Sequence, residues 1–345
     1  MTRASEQGAT RRTVIRTAAM VGTTAALAAA GATLGADAAS AAPKAASAAS
    51  VAGKQGRLPY PQGVTDTSRC TPEVAALFRG LFSAKSEHDA PRLMSYFSKK
   101  SAYYIDASSG GLWPSWNALN EFYTPYFASG LPADALSYPL RIVGDASSAL
   151  VEFEDKPAFF GHELRILGSV TFDSDHKIIR WIDYWDGRSS LVQNAIAATY
   201  PTDFEDGVEH ASPDVTRVAR ALATAFGAGD VDGALALMSY DVVHEDMAAH
   251  TRVRGQLQAG RYYARALAQL PYGTGSRIAH VEGGRLGGGY EWQASAVASP
   301  MRRGHTCIEL DESGKISRLT AVYDSSLLSY QAYLSLVAAA AEGPL

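Results

Sequence analysis

The ten residues Lys177-Ile178-Ile179-Arg180-Trp181-Ile182-Asp183-Tyr184-Trp185-Asp186 carry the densest chemical signal in the chain. They read as a β-strand, in which successive side chains point to opposite faces. On that parity Trp181, Asp183 and Trp185 share one face, while Arg180, Ile182 and Tyr184 share the other. A carboxyl group between two indole rings loses hydration, which raises its pKa and suits it to accept and return a proton near neutral pH. The competing reading is a structural, hydrogen-bonded Asp on an ordinary strand. Two other stretches place a ring and an acid two residues apart, hence on one face: Tyr104-Ile105-Asp106 and His244-Glu245-Asp246. The second is either a base with its orienter or a satisfied surface pair.

Other signals point away from chemistry. The eight histidines are scattered. No His, Cys or acid cluster has zinc-site spacing, so no metal and no cofactor are expected. No Gly-x-Ser-x-Gly elbow is present. The glycine-rich run Gly283–Gly289 falls between two expected strands, not before a helix, and reads as a hairpin turn rather than a phosphate loop. Cys70 and Cys307 are too few for a disulfide scaffold. Whether they bridge each other depends on a Cα separation that sequence does not give.

The elements that must position these residues come in two copies. Arg92-Leu93-Met94-Ser95-Tyr96 matches Ala236-Leu237-Met238-Ser239-Tyr240, and Tyr104-Ile105-Asp106 matches His244-Glu245-Asp246. Val151-Glu152-Phe153 matches Tyr290-Glu291-Trp292, and Trp185-Asp186 matches Tyr323-Asp324. The order is kept while the offset drifts only from 144 to 138. Such ordered self-similarity marks a repeated structural unit.

Each copy opens with a helix, predicted over 72–86 and 213–227, with Pro at the first helical position and Thr71 or Ser212 before it as cap. A short helix, a strand and a third helix follow. Four strands then close each copy: 140–143, 149–155, 164–172 and 177–185 in the first, 277–281, 289–295, 305–310 and 315–323 in the second. Helices first and antiparallel strands after them predict an α+β class. The parity that turns Ile182, Tyr184 and Val322 away from the Asp183 face predicts that the copies pack on each other there as an intramolecular pseudo-dimer. The chain as a whole is compatible with a monomer.

The first residues read as an address. Arg11 and Arg12 precede an uncharged run from Thr17 to Ala36, and small-residue sites follow at Ala36-Asp37-Ala38 and Ala39-Ser40-Ala41. This is the three-part pattern of a secretory signal, with an arginine pair of the twin-arginine type. The competing reading is a retained anchor, which Ala and Thr favour weakly. The expected organisation is a signal over 1–42, a flexible linker over 43–68, one copy over 69–200, a linker over 201–212 and a second copy over 213–345. No membrane span is expected after processing, and secretion is the expected destination. The formal charge of −4 becomes −6 without the four arginines and two acids of the leader. That gives nucleic-acid binding little electrostatic support.

The strand Lys177–Asp186 resembles the last strand of SnoaL-like polyketide cyclases and limonene-epoxide-hydrolase-like proteins, within the nuclear transport factor 2-like superfamily. The resemblance spans both copies, about residues 70–340. It implies two tandem cone-shaped α+β barrels, each a strongly curved mixed sheet wrapped around helices with a pocket at its open end. It also implies that Asp183 stands at the catalytic aspartate, and that Tyr104 and Asp106 stand at a Tyr-x-Asn pair that holds a water. Asp106 replaces the Asn and cannot donate as an amide does. The Arg-x-Asp pair of the hydrolases aligns with Phe153 and Asp155, so its arginine is missing.

The function expected is a cofactor-independent acid/base enzyme of cyclase, isomerase or dehydratase type, acting on a small apolar or polyketide-like molecule. Asp183, Tyr104 and Asp106 would be its catalytic residues. Trp113, Trp116, Phe153, Asp155, Trp181 and Trp185 would shape the pocket. In the second copy, where Asp183 aligns with Ala321, the candidate lining is His244, Asp246, Tyr290, Trp292 and Tyr323. The alternatives are an extracellular ligand-binding protein without chemistry, an epoxide hydrolase, and a purely structural tandem.

Overall fold

The computed structural model describes residues 58–189, 209–294, 296–298 and 300–341. The expected signal, most of the expected linker 43–68 and most of the inter-copy linker 201–212 lie outside the described residues. Among the described residues, no helix is long and apolar enough to cross a membrane.

The described residues form two seven-stranded mixed sheets of the same topology. The first contains β1 (Asp66–Cys70), β2 (Tyr103–Asp106), β3 (Gly111–Trp113), β4 (Ser137–Gly144), β5 (Ser148–Asp155), β6 (Leu164–Phe172) and β7 (Ile178–Trp185). Their order is β1-β4-β5-β6-β7-β2-β3. The second contains β8 (His210–Ala211), β9 (Met238–Asp246), β10 (Thr251–Arg254), β11 (Arg277–Gly284), β12 (Gly287–Gln293), β13 (Arg303–Leu310) and β14 (Ile316–Val322). Read from β8, its order is β8-β11-β12-β13-β14-β9-β10, the same path. In each sheet the long strands are antiparallel, and two parallel pairings join the outer strands to them: β1 with β4 and β2 with β7, then β8 with β11 and β9 with β14. The α+β class and the tandem organisation are therefore features of the molecule. The first sheet starts at Asp66 and the second at His210, so both sheets reach into segments expected to be linkers.

Register shifts interrupt β4–β5 between Pro139 and Arg141 and β6–β7 between Thr171 and Phe172. Such irregularities bend strands and increase twist. Against one face of the first sheet lies helix Pro72–Ser86, which buries Val74, Phe78, Leu81 and Phe82. These meet Phe153, Phe172, Trp181 and Trp185 in one core. Helix Pro213–Ala228 does the same in the second copy with Val215, Val218, Leu222 and Phe226. Ser212 caps that helix by accepting from the Val215 amide, whereas the Thr71 side chain makes no cap bond.

A third core joins the copies. Ile105, Val143, Leu150, Leu167, Ile182 and Tyr184 from the first pack with Met247, Cys307 and Val322 from the second. Two aspartates cap each other's copy: Asp324 accepts from the Gly187 amide at 3.0 Å, and Asp186 accepts from the Ser325 amide at 2.9 Å. Cys70 and Cys307 are both free thiols and buried. They sit in different cores, Cys70 within the first copy and Cys307 between the copies.

The glycine-rich run is a hairpin: Gly283 pairs with Gly288 and Gly284 with Gly287. Its glycines let the first copy approach. A side chain at Gly287 would meet the Ile308 carbonyl oxygen and come within 2.8 Å of Val143, at a φ of +144 that other residues rarely adopt. Gly287→Ala is therefore expected to destabilise the fold by about 1–3 kcal/mol, the scale of overpacking and backbone strain. A lower urea midpoint measures this; an unchanged midpoint would show that the two copies yield at this contact.

Candidate active site

Parallel pairing of β2 with β7 sets the first site. It places Tyr104 beside Trp181 and Asp106 beside Asp183. The matching pairs in the second sheet are His244 with Leu319 and Asp246 with Ala321. The strand register thus reproduces the correspondence read from the repeat, and confirms that the second copy has no acid at the Asp183 position.

Asp183 is buried on the helix side of the sheet, between Trp181 and Trp185 on β7. The Tyr104 hydroxyl donates to its Oδ2, and the Trp181 indole N–H donates to its Oδ1 at 2.5 Å. Burial pushes the Asp183 carboxyl up to about 7 and the negative charge of Asp106 adds to this, while the bonds from Tyr104 and Trp181 and the Lys85 ammonium pull the other way. A group poised there exchanges protons at neutral pH. Burial holds the Tyr104 phenol well above its ordinary value, and the neighbouring Asp183 charge adds to this. Tyr104 therefore remains a hydrogen donor unless its proton passes to Asp183.

Asp106 has a different task. Its Oδ1 accepts from the Ser108 amide at 3.1 Å, the Ser109 amide at 2.9 Å and the Trp185 indole N–H at 2.9 Å. It closes the turn between β2 and β3 and orients Trp185. Burial raises its pKa against those bonds.

A void of about 10 Å³ lies beside this cluster, room for roughly one water. Its polar lining is Lys85, Tyr104 and Tyr123; Phe82, Phe153 and Trp181 are among its apolar walls. Asp183 stands one layer behind, reached through Tyr104 and Trp181. Of the expected site residues, the catalytic candidate Tyr104 and the pocket candidates Phe153 and Trp181 meet at the void. Trp113 is half-buried and packs on Tyr104 at 5.4 Å and Phe122 at 4.8 Å between ring centroids. Trp116 stands apart: its indole donates to the Met94 carbonyl at 3.0 Å and its ring lies under Lys99.

Asp155, which the resemblance aligns with the acid of the hydrolase pair, holds Lys85 through both oxygens at 2.8 and 3.0 Å. Sequence reasoning missed Lys85 and Tyr123. The signal for Lys85 was present: it continues the buried stripe Phe78, Leu81, Phe82 at helical spacing, a charge on an apolar face.

In the second copy His244 and Asp246 are fully buried. Tyr263 meets His244 Nδ1 at 2.9 Å and Tyr272 meets Nε2 at 3.3 Å. Asp246 accepts from Tyr272 at 2.8 Å, Tyr323 at 3.3 Å and the Ala249 amide at 2.8 Å. Burial lowers His244 to about 3, so it is neutral, and raises Asp246 to about 6. Trp292 donates to Thr306 at 3.1 Å, and Tyr290 is buried in the same core. The pair is satisfied by tyrosines in a packed interior, not at a surface. Among the described residues no group of three His, Cys, Asp or Glu side chains could hold a metal ion.

No family model and no curated protein matches this sequence. Solved structures do. A candidate SnoaL-like polyketide cyclase of Shewanella denitrificans is 14% identical, over 34% of this chain and 92% of its own, with a TM-score of 0.28. A SnoaL-like protein of unknown function from Burkholderia thailandensis is 16% identical, over 32% of this chain and 93% of its own, with a TM-score of 0.28. An uncharacterised protein of cystatin-like fold from Silicibacter pomeroyi is 19% identical, over 37% of this chain and 82% of its own, with a TM-score of 0.29. Each aligns with about one copy's length of this chain.

Proposed function

We propose that the first copy is a cofactor-independent acid/base catalyst of cyclase, isomerase or dehydratase type, acting on a small apolar or polyketide-like molecule. The observation that carries this reading is one hydrogen bond: the Tyr104 hydroxyl, in the wall of the void, donates to a buried Asp183 poised near neutral pH. Tyr104 touches the ligand. It takes the ligand's proton as its own passes to Asp183, and the reverse transfer returns a proton to a different atom of the same ligand. Asp183 is then a relay that accepts and holds the charge.

A ligand larger than water requires the lining to open beside Tyr104, on which the half-buried Trp113 packs. The test is turnover of a panel of small enolisable compounds by the full chain, with Asp183→Asn and Tyr104→Phe as the variants that must fail. Ligand binding without turnover in any of them would favour a carrier protein instead.

Export by the twin-arginine route belongs to the same proposal and rests on Arg11, Arg12 and the uncharged run after them. Arg11→Lys with Arg12→Lys is expected to leave the protein in the cell. Secretion of that double variant would point to another route.

A further inference from the structure

Lys85 is a buried cation whose part in the relay through Tyr104 and Asp183 is limited to lowering the Asp183 pKa. It is 6% exposed, on the face of helix Pro72–Ser86 that otherwise carries Phe78, Leu81 and Phe82. Burying an ammonium is costly, and an apolar residue would fill the position at lower cost. Its three protons are accounted for in part: Asp155 accepts two, through Oδ1 and Oδ2. The ammonium lies 4.8 Å from the Phe153 ring centroid, and it lines the void together with the Tyr104 and Tyr123 hydroxyls. The void is about the size of one oxygen atom with its hydrogens; the Lys85 ammonium can donate into it, whereas the Tyr104 hydroxyl gives its proton to Asp183 and presents a lone pair there.

We propose that Lys85 binds the ligand oxygen that becomes negative when Tyr104 and Asp183 remove a proton. The ligand is then an enolisable carbonyl compound, whose acidic C–H is conjugated to that oxygen, and a phenolate mimics its enolate. This rests on the acid/base reading of the same site. In the step, the C–H bond breaks and its electron pair forms a C=C bond. The carbonyl π pair moves to oxygen. The proton goes to the Tyr104 oxygen while the Tyr104 proton goes to Asp183. Lys85 keeps its protons and compensates the new charge, so nothing is oxidised or reduced. A fixed cation aimed at the atom where charge develops is the general form of oxyanion stabilisation.

The probe is 4-nitrophenol, whose phenolate absorbs visible light and whose neutral form does not. With the full chain at mildly acidic pH, where Asp183 is largely protonated, the bound compound is expected to appear as the phenolate, and Asp183→Asn is expected to leave that signal unchanged. Lys85→Met is expected to abolish it. Because Lys85→Met alone leaves Asp155 buried and unpaired, the paired variant Lys85→Met with Asp155→Leu replaces the ion pair by apolar side chains of similar volume. It is expected to remain folded by circular dichroism and to bind the phenolate roughly tenfold to a hundredfold more weakly, the scale of a charge-assisted hydrogen bond. Phenolate binding at wild-type affinity in the folded paired variant overturns the proposal, as does the absence of binding by the unmodified chain. Lys85-dependent phenolate binding with a fully active Asp183→Asn would sink the acid/base reading and leave the oxygen site standing. Lys85-independent binding with an inactive Asp183→Asn would do the opposite.

Discussion

Asp183→Asn is expected to lower turnover by about a hundredfold or more, the usual scale of general acid–base catalysis. Asparagine keeps the shape: its single oxygen can accept from the Trp181 indole while its amide nitrogen donates to the Tyr104 oxygen, so the chief loss is the proton acceptor. Asp183 works as a base in its ionised form, and burial sets its pKa at about 7. Activity of the unmodified protein should therefore rise with pH through about 7 and level off above it; in the variant that rise should vanish. The same shift has a signature in stability. The folded state holds the proton that the unfolded chain, with a carboxyl near 3.8, has already lost. Folding stability should then fall as pH rises from about 4 to about 7, and Asp183→Asn should remove that part of the slope. His244→Gln serves as the contrast. His244 is neutral across this range and tied to Tyr263 and Tyr272. Its loss should leave turnover and the pH profile unchanged. An inactive His244→Gln beside an active Asp183→Asn would move the chemistry to the second copy.

The parts of this architecture that were legible in the sequence are those with a strong local cause. Helix Pro72–Ser86 and strand β6 were predicted to the residue, because proline at the first helical turn and apolar spacing fix the one, and an apolar run between turn signals fixes the other. The parity of β7 was legible for the same reason, and with it the separation of Asp183 from Ile182 and Tyr184. What escaped has no local signature. Strand β3 has three residues, too few to show alternation, and β1 is largely polar and exposed, held by its parallel contact with β4. Helix Tyr330–Ala340 is apolar nearly throughout, so it lacks a 3.6-residue stripe. At the site, the pairing of Tyr104 with Asp183 depends on two strands 79 residues apart in sequence becoming neighbours. The repeat located both strands but said nothing of the hydrogen bond. The size of the void is set by how Phe82, Phe153 and Trp181 interlock, which composition does not determine. Asp106 was read from the resemblance as a water holder, and its three backbone and indole donors show how completely a turn can occupy a carboxylate oxygen.

Arg180→Ala is expected to cost about 3–5 kcal/mol, the largest loss of stability from a single side chain between the two copies. Arg180 lies on the face of β7 opposite Asp183 and is buried. It reaches across the junction to Glu291, and its guanidinium also donates to Ser169 at 2.5 Å and lies 3.9 Å from Glu282. Both glutamates are buried. Burial alone would push the Glu282 carboxyl up, but His305, His280 and Arg180 together hold it below the usual range, so it is ionised in the fold. Removing the arginine leaves two buried carboxylates short of their cation, which is why truncating one partner costs far more than the pair contributes. Because Glu282 is depressed, its contribution is present above the ordinary glutamate pKa and fades as pH falls through the folded value. The penalty of Arg180→Ala should therefore be full at neutral pH and shrink in acid. Arg165 provides the comparison. It also bridges the copies, to Glu245, while pairing with Glu152 of its own copy, but its side chain is 41% exposed. Water screens such a pair, and Arg165→Ala should cost roughly 1 kcal/mol or less. Urea midpoints of the two variants at pH 7 and in acid measure both claims. Equal losses for Arg180 and Arg165 would mean that the copies separate before the buried charges are felt, and that the apolar cluster around Ile182, Tyr184 and Val322 alone holds them together.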